Sequence, residues 1–282
     1  MVNTVASLLP PSGRAAVMGI LNITPDSFSD GGQLYDGTVL NEDALLRRAQ
    51  AMVDDGADLL DVGGESTRPG ASPVSTEEEL ARVIPVVRLL KNHFHLPVSV
   101  DTSNPSVITA AVAEGADLIN DVRALTRPGA MAAAVTAGAP VCIMHMPAEP
   151  DVMQQNPRYD DVVREVRDYL LSRVAACRDA GIQPEQIVLD PGFGFGKTLE
   201  HNLQLFRALP DFVAMGYPVL VGVSRKRMIA ALLGSESEDR TQGSVAMAML
   251  AAQKGARIVR VHDVRQTAEA IRVMENAIGV ES

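Results

Sequence analysis

Residues 186–198 read QIVLDPGFGFGKT. An unbroken apolar run ends in an aspartate, then come three glycines, a lysine and a threonine. The pattern is not a phosphate-binding loop. That loop needs G-x-x-x-x-G-K-[ST], because its backbone N–H groups must wrap a phosphate before the helix begins. Five positions before Gly196 stands Pro191, which has no N–H to donate. The dinucleotide pattern G-x-G-x-x-G fails too: after Gly192 and Gly194, its last glycine position holds Lys197. What remains is a short apolar strand that ends in a carboxylate and enters a glycine-rich turn.

The same unit recurs along the chain. Short apolar runs stand at 16–21 (AVMGIL), 58–62 (DLLDV), 98–100 (VSV), 117–121 (DLIND), 141–144 (VCIM), 186–189 (QIVL), 219–223 (VLVGV) and 257–261 (RIVRV). Between them lie stretches such as EDALLRRAQAMVDDG and STEEELARVIPVVRLLKNH, with apolar residues at helical spacing of three and four. Ser75 and Thr76 ahead of Glu78 and Glu79 form a capping signature for the second helix. Gly56-Ala57, Gly115-Ala116, Gly138-Ala139 and Gly255-Ala256 each precede an apolar run, as expected where a helix C-cap leads into a strand.

Continuous apolar strands imply burial on both faces, as in a parallel sheet. Eight such units in one domain give an α/β fold, a single (β/α)8 TIM barrel. An open doubly wound sheet is the competing architecture; the count of eight and the absence of a composition break favour the barrel. Residues 1–15 read as an N-terminal segment and residues 16–280 as the barrel.

Composition narrows the function. The chain has 282 residues, 46% hydrophobic and 21% charged, ample material for a core. Its net charge is −10, which disfavours non-specific binding to nucleic acid or anionic membrane. Two cysteines, Cys142 and Cys177, make neither a metal pattern nor a disulfide framework. No apolar run is long enough to span a bilayer, and residues 1–14 lack the features of an export signal. The expectation is a cytoplasmic protein with no nucleic-acid or membrane partner.

A barrel places its active site at the C-terminal ends of its strands. Those positions hold Asn22, Asp61, Asp101, Asn120, His145, Asp190, then Ser224 with Arg225 and Lys226, and His262 after Arg260. One aspartate at a strand end often only caps the next helix. Polar groups at nearly every strand end are not explained that way. Acidic groups come from early strands and the sixth, basic groups from the seventh and eighth. The pattern suggests a ligand that is flat and polar at one end and anionic at the other. Other residues read as structural: Cys142 as a core residue, His201 as solvent-facing, and Glu77 to Glu79 as a solvated first turn. His93 and His95 precede the third strand, away from the site. The first two loops, NITPDSFSDGGQLYDG and GGESTRPGASPVS, are long for βα connections and read as mobile lids over the barrel mouth.

The motifs MGILNITPDSFSDGG (18–32), DVGGESTRPGA (61–71), SVDTS (99–103), INDV (119–122), MHM (144–146), DPGFGFGKT (190–198), GVSRK (222–226) and RVHDV (260–264) stand in order along the chain. Together they resemble bacterial dihydropteroate synthase, an enzyme of folate synthesis. The resemblance implies a transferase that joins 6-hydroxymethyl-7,8-dihydropterin pyrophosphate to p-aminobenzoate. It implies Mg2+ as cofactor, a homodimer, and a target at which sulfonamides, as p-aminobenzoate mimics, compete. Carried over, it gives pterin binding to Asp101, Asn120, Met144, Asp190, Phe195 and Lys226. It gives the pyrophosphate to Asn22, Arg68, Arg260 and His262, with Asn22 also holding the metal. The p-aminobenzoate pocket falls to Phe28, Thr67, Pro69 and Phe195. Arg227 stands where many members carry a serine, and its helix start is expected to take the aryl carboxylate. Asp101, Lys226, Arg260 and His262 are the expected catalytic residues, and Lys197 is left as a surface or helix-start residue. A pterin-dependent methyltransferase would lack Arg260, His262 and the STRPG segment. A non-catalytic pterin binder would have lost Asp101, Lys226 or Arg260.

Overall fold

The computed structural model describes residues 3–24, 35–36, 39–65, 74–147, 157–234 and 239–278. Eight parallel strands form one sheet: β1 (Ala16–Asn22), β2 (Leu59–Gly63), β3 (Val98–Asp101), β4 (Leu118–Asp121), β5 (Val141–Met144), β6 (Ile187–Asp190), β7 (Leu220–Val221) and β8 (Ile258–Val261). Their order is β6-β5-β4-β3-β2-β1-β8-β7. A parallel bridge between Leu189 and Val219 joins the two ends, and the Leu189 N–H donates to the Pro218 carbonyl at 2.9 Å. The sheet therefore closes into the expected barrel. The seventh strand is shorter than its apolar run, since only Leu220 and Val221 pair with β8.

The helices that pack outside follow the expected rhythm: α1 (Glu42–Asp54), α2 (Thr76–His93), α3 (Pro105–Ala113), α4 (Ala130–Ala137), α5 (Val162–Asp179), α6 (Leu199–Arg207), α7 (Leu209–Val213), α8 (Arg227–Leu233), α9 (Thr241–Gln253) and α10 (Val264–Ile278). Ser75 caps α2 by accepting the Glu78 N–H. Gly56, Gly115 and Gly255 have φ near +100° where helices turn into strands, a region that side chains with a Cβ avoid. The capping expectation from sequence therefore holds. A two-stranded antiparallel ribbon, Tyr35–Asp36 with Val39–Leu40, sits within the first long loop and was not expected. The rest of that loop (25–34) and residues 66–73 of the second lie outside the described residues, and with them the expected lids.

Strand alternation builds two cores. Outward residues such as Val17, Leu60, Val100, Ile119, Ile143, Leu189, Val221 and Val259 are buried against the helices. Inward residues Ala16, Met18, Leu59, Leu118, Cys142, Val188, Leu220 and Ile258 fill the lower barrel, plugged from below by Val5 and Leu8 of a short 3-10 helix. Each large aliphatic side chain buried this way is worth roughly 1.5–3 kcal/mol. The next inward positions, one pleat higher, are Asp61, Asp101, Asn120, Met144, Asp190 and Arg260. The apolar core is thus the floor of a polar chamber.

Candidate active site

The charged groups of the chamber hold one another in place. Arg260 on β8 donates from Nε to Asp61 on β2 at 2.6 Å, and from Nη2 to Asp101 on β3 at 2.9 Å. Asn120 on β4 places its amide nitrogen 3.4 Å from both Asp61 oxygens. Four strands are thereby cross-linked through side chains. Burial pushes Asp101 up to about 7, against the pull of Arg260, with the Asp61 carboxylate adding to the rise. Two carboxylates share one guanidinium here, so the pair carries excess negative charge.

Two glycines keep the mouth open. A Cβ on Gly63 would stand 3.5 Å from Asp101 Cβ and 3.8 Å from Asn22 Oδ1. A Cβ on Gly222 would stand 3.8 Å from Arg260 Cβ and 4.0 Å from Lys226 Nζ. Both sit at inward positions, where any larger residue would enter the space between the charged groups.

On the opposite wall Asp190 ends β6, buried, and its Oδ1 accepts the Gly192 N–H at 2.7 Å. Burial raises its pKa and Lys226 opposes that rise. Lys226 donates to the Phe193 carbonyl, and its ammonium lies 4.5 Å from the centre of the Phe195 ring. Burial lowers Lys226 to about 8, against the attraction of Asp190. Met144, at the end of β5, is buried and in register with Asp190. His262 follows β8; its Nδ1 is 3.0 Å from Ser224 Oγ, which also accepts the His262 backbone N–H at 3.1 Å. Arg227 is exposed at the first turn of α8.

Asp101, Asn120, Asp190, Lys226 and Arg260, read from five separate strand ends, thus share one end of the barrel through direct contacts or common neighbours. Phe28, Thr67, Arg68 and Pro69 lie outside the described residues. Three structural expectations are corrected. Lys197 is not on the surface: it is 5% exposed and donates to Gly192 O (2.8 Å), Phe195 O (3.0 Å) and His145 Nδ1 (3.0 Å). Its place follows from the glycine turn, which curls back over its own lysine. Glu79 is not solvated: it is buried and accepts from Thr102 Oγ1, because the start of α2 lies against the loop after β3. His201 is half-buried, with its ring 5.0 Å from that of Tyr159, edge-on, and its Nδ1 accepting the Thr198 N–H. Cys142 is a core residue as expected.

Residues 18–262 match the family model described as pterin binding enzyme. The dihydropteroate synthase of Escherichia coli (strain K12) is 51% identical over 268 residues, which cover 94% of this chain and 92% of that one. The chain belongs to the dihydropteroate synthase family of pterin-binding enzymes. The structure agrees. That of Yersinia pestis dihydropteroate synthase in a sulfonamide drug complex superposes with a TM-score of 0.90 at 48% identity, covering 96% of each chain. That of Xanthomonas albilineans dihydropteroate synthase with 4-aminobenzoic acid gives 0.87 at 49% identity, covering 96% of this chain and 95% of the other. The family is one of transferases acting on small molecules. No helix among the described residues is long and apolar enough to cross a membrane.

Proposed function

We propose that this chain condenses 6-hydroxymethyl-7,8-dihydropterin pyrophosphate with p-aminobenzoate to give 7,8-dihydropteroate and pyrophosphate. The observation that carries the reading is the meeting of Asp101, Asn120, Asp190, Lys226 and Arg260 at one barrel end, in a chain about half identical to dihydropteroate synthases over nearly its whole length.

The chemistry assigns the roles. A carboxylate accepts from two adjacent N–H groups of the pterin edge, which suits Asp190 at the chamber wall. Asn120 and Lys226 address the remaining polar atoms of the ring, and Met144 and Phe195 pack on it. Arg260 has five N–H donors, so its two carboxylate contacts leave donors for the pyrophosphate, beside His262, Asn22 and Arg68. The aryl substrate takes Phe28, Thr67, Pro69 and Phe195, with its carboxylate at Arg227.

The reaction runs dissociatively. The bond between the exocyclic methylene and the pyrophosphate oxygen breaks first, and both electrons leave with the oxygen. Positive charge spreads over the dihydropterin ring, where the Asp101 carboxylate stabilises it. The neutral arylamine then forms the C–N bond and releases a proton, so no strong base is required.

Among the described residues no group of three or more His, Cys, Asp or Glu side chains is arranged to hold a metal. Mg2+ does not need one, since it commonly binds through one or two protein oxygens plus substrate phosphates. The amide oxygen of Asn22, at the end of β1 and 3.8 Å from where a Cβ on Gly63 would stand, fits that donor set. When bound there, Mg2+ offsets the charge that develops on the leaving pyrophosphate. A homodimer belongs to the same reading. Leu232 and Leu233 on α8 and Leu250 on α9 are 45%, 47% and 38% exposed, on two helices that pack together. A sedimentation experiment returning a monomer at micromolar concentration would remove that part.

The test of the whole reading is release of pyrophosphate by purified protein, dependent on both p-aminobenzoate and Mg2+ and competitively inhibited by a sulfonamide. Release that ignores p-aminobenzoate would refute it.

A further inference from the structure

We propose that Lys197 is a positioning residue of the pterin site: its amine clamps the loop 192–196 to the end of β5 and thereby sets where Lys226 and Asp190 stand. The inference rests on the function proposed above and concerns a side chain to which the sequence motifs gave no role.

The Nζ of Lys197 lies where three acceptors converge: the Gly192 carbonyl at 2.8 Å, the Phe195 carbonyl at 3.0 Å and His145 Nδ1 at 3.0 Å. A fourth, the His145 carbonyl, stands at 3.4 Å. The first two belong to the glycine turn and the others to the residue that follows β5. A single amine therefore joins neighbouring strand ends. The turn can wrap it because Gly192, Gly194 and Gly196 all have positive φ, at +72°, +80° and +56°, which lets carbonyls three residues apart aim inward. A Cβ on Gly192 would run into the His145 carbonyl oxygen, so the turn lies hard against β5.

What the clamp fixes is functional. Gly192 and Phe195 bracket Phe193, whose carbonyl accepts from Lys226. The ring of Phe195 lies 4.5 Å from the same Lys226 ammonium. The Gly192 N–H reaches Asp190 Oδ1 at 2.7 Å. Every loop residue held by Lys197 therefore also touches Asp190 or Lys226, or adjoins one that does. Lys197 is buried beneath the loop and acts through these neighbours.

The site matches a long side chain that donates hydrogen bonds, and burial lowers Lys197 itself to about 7, against the attraction of Asp190. Burial, followed by the neighbouring ammonium, lowers His145 to about 3, so its imidazole is neutral and presents Nδ1 as an acceptor. Around the loop, Asn202 Oδ1 accepts the Gly194 N–H at 2.7 Å, and Tyr159 donates to the Gly196 carbonyl at 3.0 Å. Those bonds hold another side of the turn; Lys197 ties it to His145. Removing the amine leaves the Phe195 carbonyl and an imidazole nitrogen without this donor, and the Gly192 carbonyl with only the Phe195 N–H at 3.2 Å, which favours displacement of the loop.

The experiment compares Lys197→Met with the unaltered protein. Calorimetry measures the affinity for 6-hydroxymethylpterin, and inhibition kinetics measure that for inorganic pyrophosphate, both on folded protein well below its melting temperature. The expected result is a ~10- to 100-fold loss of pterin affinity, the scale of a small misplacement in a binding site. The pyrophosphate constant should stay within about threefold, since its ligands stand on other strands. Pterin affinity within threefold of the parent would overturn the proposal; so would equal losses for both ligands, the mark of general damage. If Lys197→Met does not fold, Lys197→Gln, which keeps two N–H donors, replaces it; a selective pterin loss of ~3- to 10-fold supports the clamp, and no selectivity overturns it. Failure of the unaltered protein to bind any pterin would instead refute the proposed function itself.

Discussion

Asp61 accepts the Nε–H of Arg260 at 2.6 Å, although 199 residues separate the two in sequence and Asp61 has no exposed surface. The bond reaches over β1 and joins the two strands that flank it, β2 and β8. It also bends the guanidinium toward Asp101, so a residue with no direct part in the proposed reaction aims two that have one.

Breaking this pair should damage stability and activity together. Removing one partner of a buried ion pair strands the other charge, at a cost of about 3–5 kcal/mol. Asp61→Asn keeps the shape and an acceptor, so about 3 kcal/mol is expected at the lower end of that range. The check is a urea unfolding midpoint with kcat/KM from the same preparation. A variant that keeps its midpoint would show that the pair contributes little.

The pH profile should be a narrow bell. With burial holding Asp101 up at about 7 and Lys226 down at about 8, kcat/KM should rise as the carboxyl ionises and fall as the ammonium loses its proton. The two apparent values belong to the interacting set. Asp101→Asn should abolish the acid limb and lower kcat by about 100-fold or more; a near-normal kcat with only a raised KM would remove Asp101 from the chemistry. Stability should move the other way on the acid side. The folded carboxyl titrates above its unfolded value of about 4, so the native state binds more protons between about pH 4 and 7. The contribution of this group therefore declines as pH rises across that window.

Gly192→Ala should be the most harmful single methyl in the glycine turn. It combines a backbone at +72° with a collision against a fixed carbonyl oxygen. Strain of this kind costs about 1–3 kcal/mol. At Gly194 the added Cβ would meet Lys226 Cδ at 2.9 Å, the flexible part of a side chain. Gly194→Ala shares the left-handed strain, at φ +80°, but without the collision with backbone, so it should cost less stability and raise the KM for the pterin substrate. Melting temperatures and steady-state constants for the two variants test the contrast.

Ser224→Ala should loosen His262 without touching the other charged groups. The hydroxyl is bonded to both the ring and the backbone of His262, and the loss of one such bond is worth about 1 kcal/mol. The expected result is about fivefold weaker inhibition by pyrophosphate, with the KM for p-aminobenzoate unchanged. A change confined to p-aminobenzoate would reassign the residue.

The barrel was legible because its signal is repeated: eight apolar runs, each followed by a polar residue. Even so, the seventh strand pairs over two residues and not five, since Pro218 and Gly222 bound it. The site residues were legible because strand ends converge in a barrel, so a list of the ends is a list of the wall. Asp61 stood in that list without a role, since its link to Arg260 joins strands far apart in sequence and has no local mark. Lys197 and Glu79 were misread for a related reason. Charge in a turn or a first helical turn suggests solvent, and only the packing of the β3 and β6 loops shows otherwise. A glycine turn with a lysine just after it does carry a hint, because positive φ at three glycines lets carbonyls face the next cation.

The two-residue alternation that fills the lower barrel also aims Asp61, Asp101, Asn120, Asp190 and Arg260. Register and reactivity are therefore inseparable here. A deletion of one residue inside any of these strands would turn its reactive group toward the helices and drive an aliphatic neighbour into the chamber. A strand frameshift would forfeit folding and turnover in the same event.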